Sequence, residues 1–217
     1  MYKTEKQKII TYAKRLLTSN LTVGTGGNLS IRSSQSDEIL ITPSGVEYED
    51  LRPDLISVLK LDGTQISGEK EASTELPFHL ALYRHRSDIN AIVHTHSTYA
   101  TVLACLGWEI PAVHYLVGFS GHRVPLAPYA LFGSRELSQN IIETIGKRNA
   151  ILLANHGLVA VGKDIETAFR VAEQIEFVAK VYYLAKCAGE PNLLSRTAME
   201  HVLKKFKTYD YLIKKEK

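Results

Sequence analysis

Residues 29–67, LSIRSSQSDEILITPSGVEYEDLRPDLISVLKLDGTQIS, decide the fold. Two runs rich in β-formers, 29–32 and 38–42, are separated by serines and an aspartate that suit a turn. A second pair, 55–61 and 65–67, flanks Asp62-Gly63, a dipeptide that accepts the positive φ angles of a tight hairpin. Strands joined by hairpins pair antiparallel, so this stretch is incompatible with strict βαβ alternation.

Outward from this segment the periodicity changes. Upstream, Ile9, Ile10, Ala13, Leu16 and Leu17 recur at helical spacing within 5–17 and leave the lysines outward. Downstream, Ser73 and Thr74 are good N-caps, Pro77 is tolerated in a first turn, and Leu76, Leu80 and Tyr83 share a face, so a helix is predicted from about residue 74. Further on, 91–96 reads as a buried strand, 98–106 as a helix, 110–117 as a strand between Gly107 and Gly118, and 150–154 as a strand resumed at 158–161. Ser134 and Asp164 cap helices running to about 145 and 188, and 197–207 is predicted as the last helix. Helices interleaved with antiparallel strands define an α/β sandwich with a mixed sheet.

The chain has 217 residues, 45% hydrophobic and 23% charged, which fits one globular domain over 1–217 and excludes disorder, collagen and coiled coil. A net charge of +3, spread along the chain, points to neither nucleic acid nor an anionic membrane as partner. Cys105 and Cys187 are too few for a disulfide framework, the N-terminus lacks the order of a signal peptide, and no apolar run approaches a membrane span. A cytoplasmic location is expected.

His94-Thr95-His96 is the sharpest local feature. Residues i and i+2 of a strand point to one face, so two imidazoles stand side by side as metal ligands or as a hydrogen-bonded pair. His156, at the sharp end of 151–154 before Gly157, is the best third ligand, and three imidazoles with an open position suit a catalytic metal. The other five, His79, His85, His114, His122 and His201, read as surface or supporting histidines, with His79 one helical turn after Glu75. Residues 24–28 (GTGGN), 42–45 (TPSG) and Ser73-Thr74 each expose amides or hydroxyls that suit an anion. Taken singly each is a turn, and the first is neither a Walker A loop nor a dinucleotide fingerprint. Glu75 in a first helical turn is macrodipole compensation unless that helix starts beside the histidines.

In this order and spacing, GTGGNLS, TPSG, STE before a helix, HTH and NHG resemble the class II aldolase/adducin head family, a likeness extending to 110–115, 127–133 and 205–209. The resemblance implies a three-layer α/β/α sandwich with a mixed, largely antiparallel central sheet. It implies a divalent metal, zinc before manganese or cobalt, on His94, His96 and His156, and a homotetramer with sites between subunits. Glu75 matches the catalytic acid/base and a further metal contact in the absence of substrate; Tyr115 matches a tyrosine acting from the neighbouring subunit. Phosphate falls to Thr25, Gly26, Asn28, Ser44, Gly45, Ser73 and Thr74, and the aldehyde to Phe119, Phe132 and Tyr209. The implied reaction is reversible cleavage of a phosphorylated ketose, L-fuculose 1-phosphate or 5-deoxyribulose 1-phosphate. It yields dihydroxyacetone phosphate and lactaldehyde or acetaldehyde through a metal-stabilised enediolate.

The same head module resembles ribulose-phosphate 4-epimerases, methylthioribulose-1-phosphate dehydratases and metal-free adducins. Scaffolding requires lost ligands, and all four are present here. The epimerases carry an aspartate at the Glu75 position and a further acid after the Tyr115 region, whereas 118–122 (GFSGH) supplies none. The dehydratases share the metal and glutamate but match less well at both chain ends.

Overall fold

The computed structural model describes residues 2–33 and 35–215. Helix α1 (Lys3–Thr18) leads into β1 (Asn28–Arg32), β2 (Ile39–Ile41), β3 (Ser57–Leu59) and β4 (Gln65–Ser67), then α2 (Leu76–His85), β5 (Ala91–Thr95) and α3 (Thr98–Cys105). A 3-10 turn (Tyr115–Phe119) precedes β6 (Leu126–Ala127), α4 (Arg135–Ile145), β7 (Ala150–Leu153), β8 (Gly157–Gly162), α5 (Ile165–Ala188) and α6 (Arg196–Lys215). The strands form one sheet in the order β4-β3-β2-β1-β5-β8-β7-β6. Every pairing is antiparallel except β6 with β7, so the sheet is mixed and largely antiparallel as expected.

Period-2 alternation builds the layers. Leu29, Ile31, Ala91, Val93, Leu152, Leu158 and Ala160 join one core with α1, α3 and α5. Ile92, Ile151, Leu153, Val159 and Val161 join the other, beneath α2 and α4. The parity that sends Ile92 towards α2 sends His94 the same way, and the β1 register pairs Asn28 with His94 and Ser30 with Ile92. One strand parity thus carries apolar packing at one end and polar side chains at the other.

Local chemistry explains most boundaries. Ser134 and Asp164 cap α4 and α5 through side-chain oxygens that accept from the Leu137 and Thr167 amides. Helix α2 starts at Leu76 with Pro77 in its first turn, and Ser73 Oγ accepts from the Glu75 amide just ahead of it.

One predicted element is overturned. The stretch 110–117 is not a strand: only Ile110 pairs, in an isolated bridge to Val124. Pro111 has no N–H for a ladder, and the chain curls into the 3-10 turn, where His114 Nδ1 accepts from the Leu116 amide. The short β6, between Pro125 and Pro128, has no strand signal in the sequence. Among the described residues no helix is long and apolar enough to cross a membrane.

Candidate metal centre and anion cleft

β5 delivers His94 and His96 to one point; β7 and β8 deliver His156 from the turn between them; the start of α2 delivers Glu75. One ligand atom from each of the four lies within 4.8 Å of the others. His94 Nε2 is 3.0 Å from His96 Nε2 and 3.1 Å from Glu75 Oε2, while His156 Nε2 is 3.3 Å from Glu75 Oε1.

Two close backbone approaches set this convergence. Gly27 has φ +74°, and a Cβ there would meet the His94 carbonyl oxygen at 2.6 Å. At Gly157 a Cβ would meet the Thr95 carbonyl oxygen at 2.3 Å, so only glycine lets β8 leave the His156 turn against β5. Asn155, just before His156, holds the left-handed φ of 54° that completes the turn.

The donor set fits a divalent cation. His94 Nδ1 is 3.0 Å from the Leu158 carbonyl, to which it donates, so its Nε2 lone pair faces the centre. Glu75 Oε1 is buried without a hydrogen-bond partner, an orphan that a cation would satisfy. Burial, followed by neighbouring imidazoles, pushes His96 and His156 down to about 4, so both rings are neutral ligands at neutral pH. Burial opposes ionisation of Glu75, but His94, His156 and the Asn28 amide outweigh it and hold its carboxyl well below the usual carboxylate range.

Glu75, His96 and His156 line one side of a cleft of about 470 Å³, with His94 buried behind them. All seven residues read as anion contacts line it: Thr25, Gly26, Asn28, Ser44, Gly45, Ser73 and Thr74. The loops are stitched together, because the Ser44 amide donates to Glu71 O and the Ser73 amide to Thr42 O. Tyr48, absent from the sequence reading, braces the first loop by donating to the carbonyls of Gly26 and Gly27, each at 2.8 Å. The Asn28 side chain is committed to protein partners: Nδ2 donates to Glu75 Oε2 at 2.9 Å, and Oδ1 faces His79 Nε2.

The aldehyde-side residues separate. Phe132 lines the cleft together with Tyr129 and Asn155, which the sequence reading did not single out. Phe119 does not line it; its ring lies 5.1 Å from that of Phe206 on α6. Tyr115 is also outside this chain's own cleft, 49% exposed beside His114 and Phe206. Tyr209 falls on α6 and its side chain lies outside the described residues. His79, expected as a surface or supporting histidine, is wholly buried, whereas His85, His122 and His201 are exposed.

Comparison with known proteins shows the family. The signature of the Class II Aldolase and Adducin N-terminal domain matches residues 7–183. The chain is 49% identical over 205 residues to 5-deoxy-D-ribulose 1-phosphate aldolase of Bacillus thuringiensis serovar kurstaki, covering 94% of this chain and 96% of that protein. It is 41% identical over 202 residues to 5-methylthioribulose-1-phosphate/5-deoxyribulose-1-phosphate aldolase of Rhodospirillum rubrum, covering 93% and 90%. A solved L-fuculose 1-phosphate aldolase superposes with a TM-score of 0.91 at 43% identity, covering 93% of this chain and 95% of that one.

Proposed function

The chain belongs to the class II aldolase and adducin family, and on that premise we propose that it is a lyase cleaving a phosphorylated deoxyketose between C3 and C4. The products are dihydroxyacetone phosphate and a small aldehyde. The observation that carries this reading is the cleft itself: the cluster of three imidazoles and a carboxylate reaches one end of it through Glu75, His96 and His156, and hydroxyls and amides from three loops line the rest. No lysine is among its described lining residues, so a Schiff base has no candidate there and a metal-dependent aldolase is favoured.

His94, His96 and His156 would hold the cation, zinc first and manganese or cobalt next. Such a cation supplies a Lewis acid that stabilises negative charge developing on substrate oxygens. Thr25, Gly26, Asn28, Ser44, Gly45, Ser73 and Thr74 line the region that would receive the phosphate. In the synthetic direction ionised Glu75 would take a proton from C3 of dihydroxyacetone phosphate; in cleavage the carboxyl, first protonated from solvent, would give a proton to C3 once the C3–C4 bond has broken, matching the proton that leaves the C4 hydroxyl. Tyr115 is half exposed and outside its own cleft, which supports a role across an interface in a homotetramer. There it would give a proton to the aldehyde oxygen in synthesis and take it back from the C4 hydroxyl in cleavage. Tyr129 and Phe132 line the cleft, which supports a small apolar aldehyde and 5-deoxyribulose 1-phosphate ahead of L-fuculose 1-phosphate.

The test is a coupled assay for dihydroxyacetone phosphate on 5-deoxyribulose 1-phosphate, L-fuculose 1-phosphate and ribulose 1-phosphate, with chelated and metal-restored protein. Metal-dependent release is expected, with the highest kcat/KM on 5-deoxyribulose 1-phosphate. Metal-loaded protein that releases none from any of the three would overturn the aldolase reading.

A further inference from the structure

Behind Glu75 and Asn28, the α2-facing side of β1 holds a run of polar groups, His79, Ser30 and Tyr83, that neither metal ligation nor the phosphate loops require. His79 is wholly buried between Asn28 and Ser30. Its Nε2 lies 2.6 Å from Asn28 Oδ1 and its Nδ1 2.7 Å from Ser30 Oγ. Ser30 Oγ is in turn 2.8 Å from the Tyr83 hydroxyl, one helical turn further along α2. At the other end Asn28 Nδ2 donates to Glu75 Oε2 at 2.9 Å.

One arrangement of hydrogens satisfies every link when Glu75 is a carboxylate. A carboxylate only accepts, so Asn28 turns its nitrogen to Glu75 and its oxygen to His79. That oxygen needs an N–H, which puts the proton on Nε2. Burial, reinforced by His94, pushes His79 down to about 3, so the ring is neutral and Nδ1 keeps a lone pair. Nδ1 therefore accepts from Ser30, and the Ser30 oxygen accepts from Tyr83. All donors in the chain point towards Glu75, an alignment in which each bond polarises the next.

We infer that His79 is a positioning residue: its Nε2–H tautomer, set by Ser30 and Tyr83, locks the Asn28 amide so that it clamps Glu75 Oε2 and leaves Oε1 to carry the proton. Oε1 is the oxygen that lacks a hydrogen-bond partner, and it lies on the His156 side of the carboxylate. The role in proton transfer rests on the aldolase reading, whereas the tautomer rests on the hydrogen-bond geometry and on the burial that keeps the ring neutral.

The experiment combines kinetics of metal-loaded His79→Leu, His79→Gln, Ser30→Ala and Tyr83→Phe with metal stoichiometry and 15N NMR of histidine-labelled wild type. His79→Leu is expected to keep its metal and to hold KM within about twofold while kcat falls by about 10- to 100-fold, the range for a lost hydrogen bond to a charged group. His79→Gln, which restores an N–H towards Asn28, should recover most of that loss, and the wild-type spectrum should show His79 protonated at Nε2. Ser30→Ala and Tyr83→Phe, gentler changes that retain the ring, should lower kcat in that order and keep the inference testable if His79→Leu does not fold. Normal kcat in folded, metal-loaded His79→Leu, a loss confined to KM, or an Nδ1–H tautomer in the wild type would each overturn the inference. Wild-type protein with no release from any sugar phosphate would instead sink the aldolase reading.

Discussion

At the residue scale, Glu75 and His156 touch across 3.3 Å, and the proposed function gives them separable tasks. Glu75→Gln removes the ionisable group and keeps its shape and the contact to Asn28. It should retain metal and lose turnover by about 10²–10⁴-fold, the range for a positioned acid/base. Near-normal kcat in the metal-loaded variant would show that the C3 proton moves elsewhere. His156→Ala removes a neutral ligand and should instead lose metal by elemental analysis, and thermal unfolding should no longer respond to chelator. The shared direction of His94 and His96 was readable locally because strand parity sets it, whereas Glu75 by itself read as macrodipole compensation until the structure put the start of α2 beside them. His79 escaped the same reading: its spacing from Glu75 was visible, but its burial depends on β1 lying beneath α2.

At the element scale, α3 follows His96 directly and depends on a helix far away in sequence. Its N-cap, Ser97, makes no side-chain capping bond. The Glu176 carboxylate on α5 accepts the Tyr99 and Ala100 amides at 2.8 and 2.9 Å instead. Burial pushes the Glu176 carboxyl up despite these donors. Glu176→Ala leaves two amides unpaired and should cost about 1–3 kcal/mol in urea unfolding. Metal affinity should weaken with it, because the end of β5 loses its support. Unchanged stability would assign the capping to water. Most elements were legible from periodicity and capping, Ser134 and Asp164 being the clearest; 110–117 was not, because an apolar run beside Pro111 packs equally well as a turn.

At the scale of the whole molecule, metal-free stability should depend on pH through the buried imidazoles. His79 is held at about 3 and His96 and His156 at about 4, against 6.5 for an unperturbed histidine. Above about pH 6.5 native and unfolded chains are alike at these rings. Between 6.5 and 4 the unfolded chain takes protons that the native protein refuses, so stability falls as pH falls, and the loss levels off once the native rings protonate. Calorimetry of chelated protein should show Tm declining across this window, and a flat Tm would contradict it. The proposed sharing of sites between subunits has its own test. Co-expression of Glu75→Gln with Tyr115→Phe, each inactive alone, should restore measurable activity in mixed oligomers, because some clefts regain both groups. No recovery in demonstrably mixed oligomers would place Tyr115 outside the reaction.

The sequence by itself determined the antiparallel opening of the sheet, the helix caps and the placing of His94 and His96 on one strand face, since these follow from periods of 2 and 3.6 and from side-chain chemistry within a few residues, whereas His156 was a candidate and Glu75 joined them only through the family resemblance. Tertiary structure alone decided that three unremarkable turns share one cleft with Glu75, His96 and His156, that Asn28 serves Glu75 and His79, and that Tyr115 and Phe119 lie outside the cleft of their own chain. The Asn28 contacts depend on the register of β1 against β5 and on the seating of α2 over that pair, packing between segments 47 to 66 residues apart in the chain, and Tyr115 and Phe119 are placed by packing against Phe206 on α6.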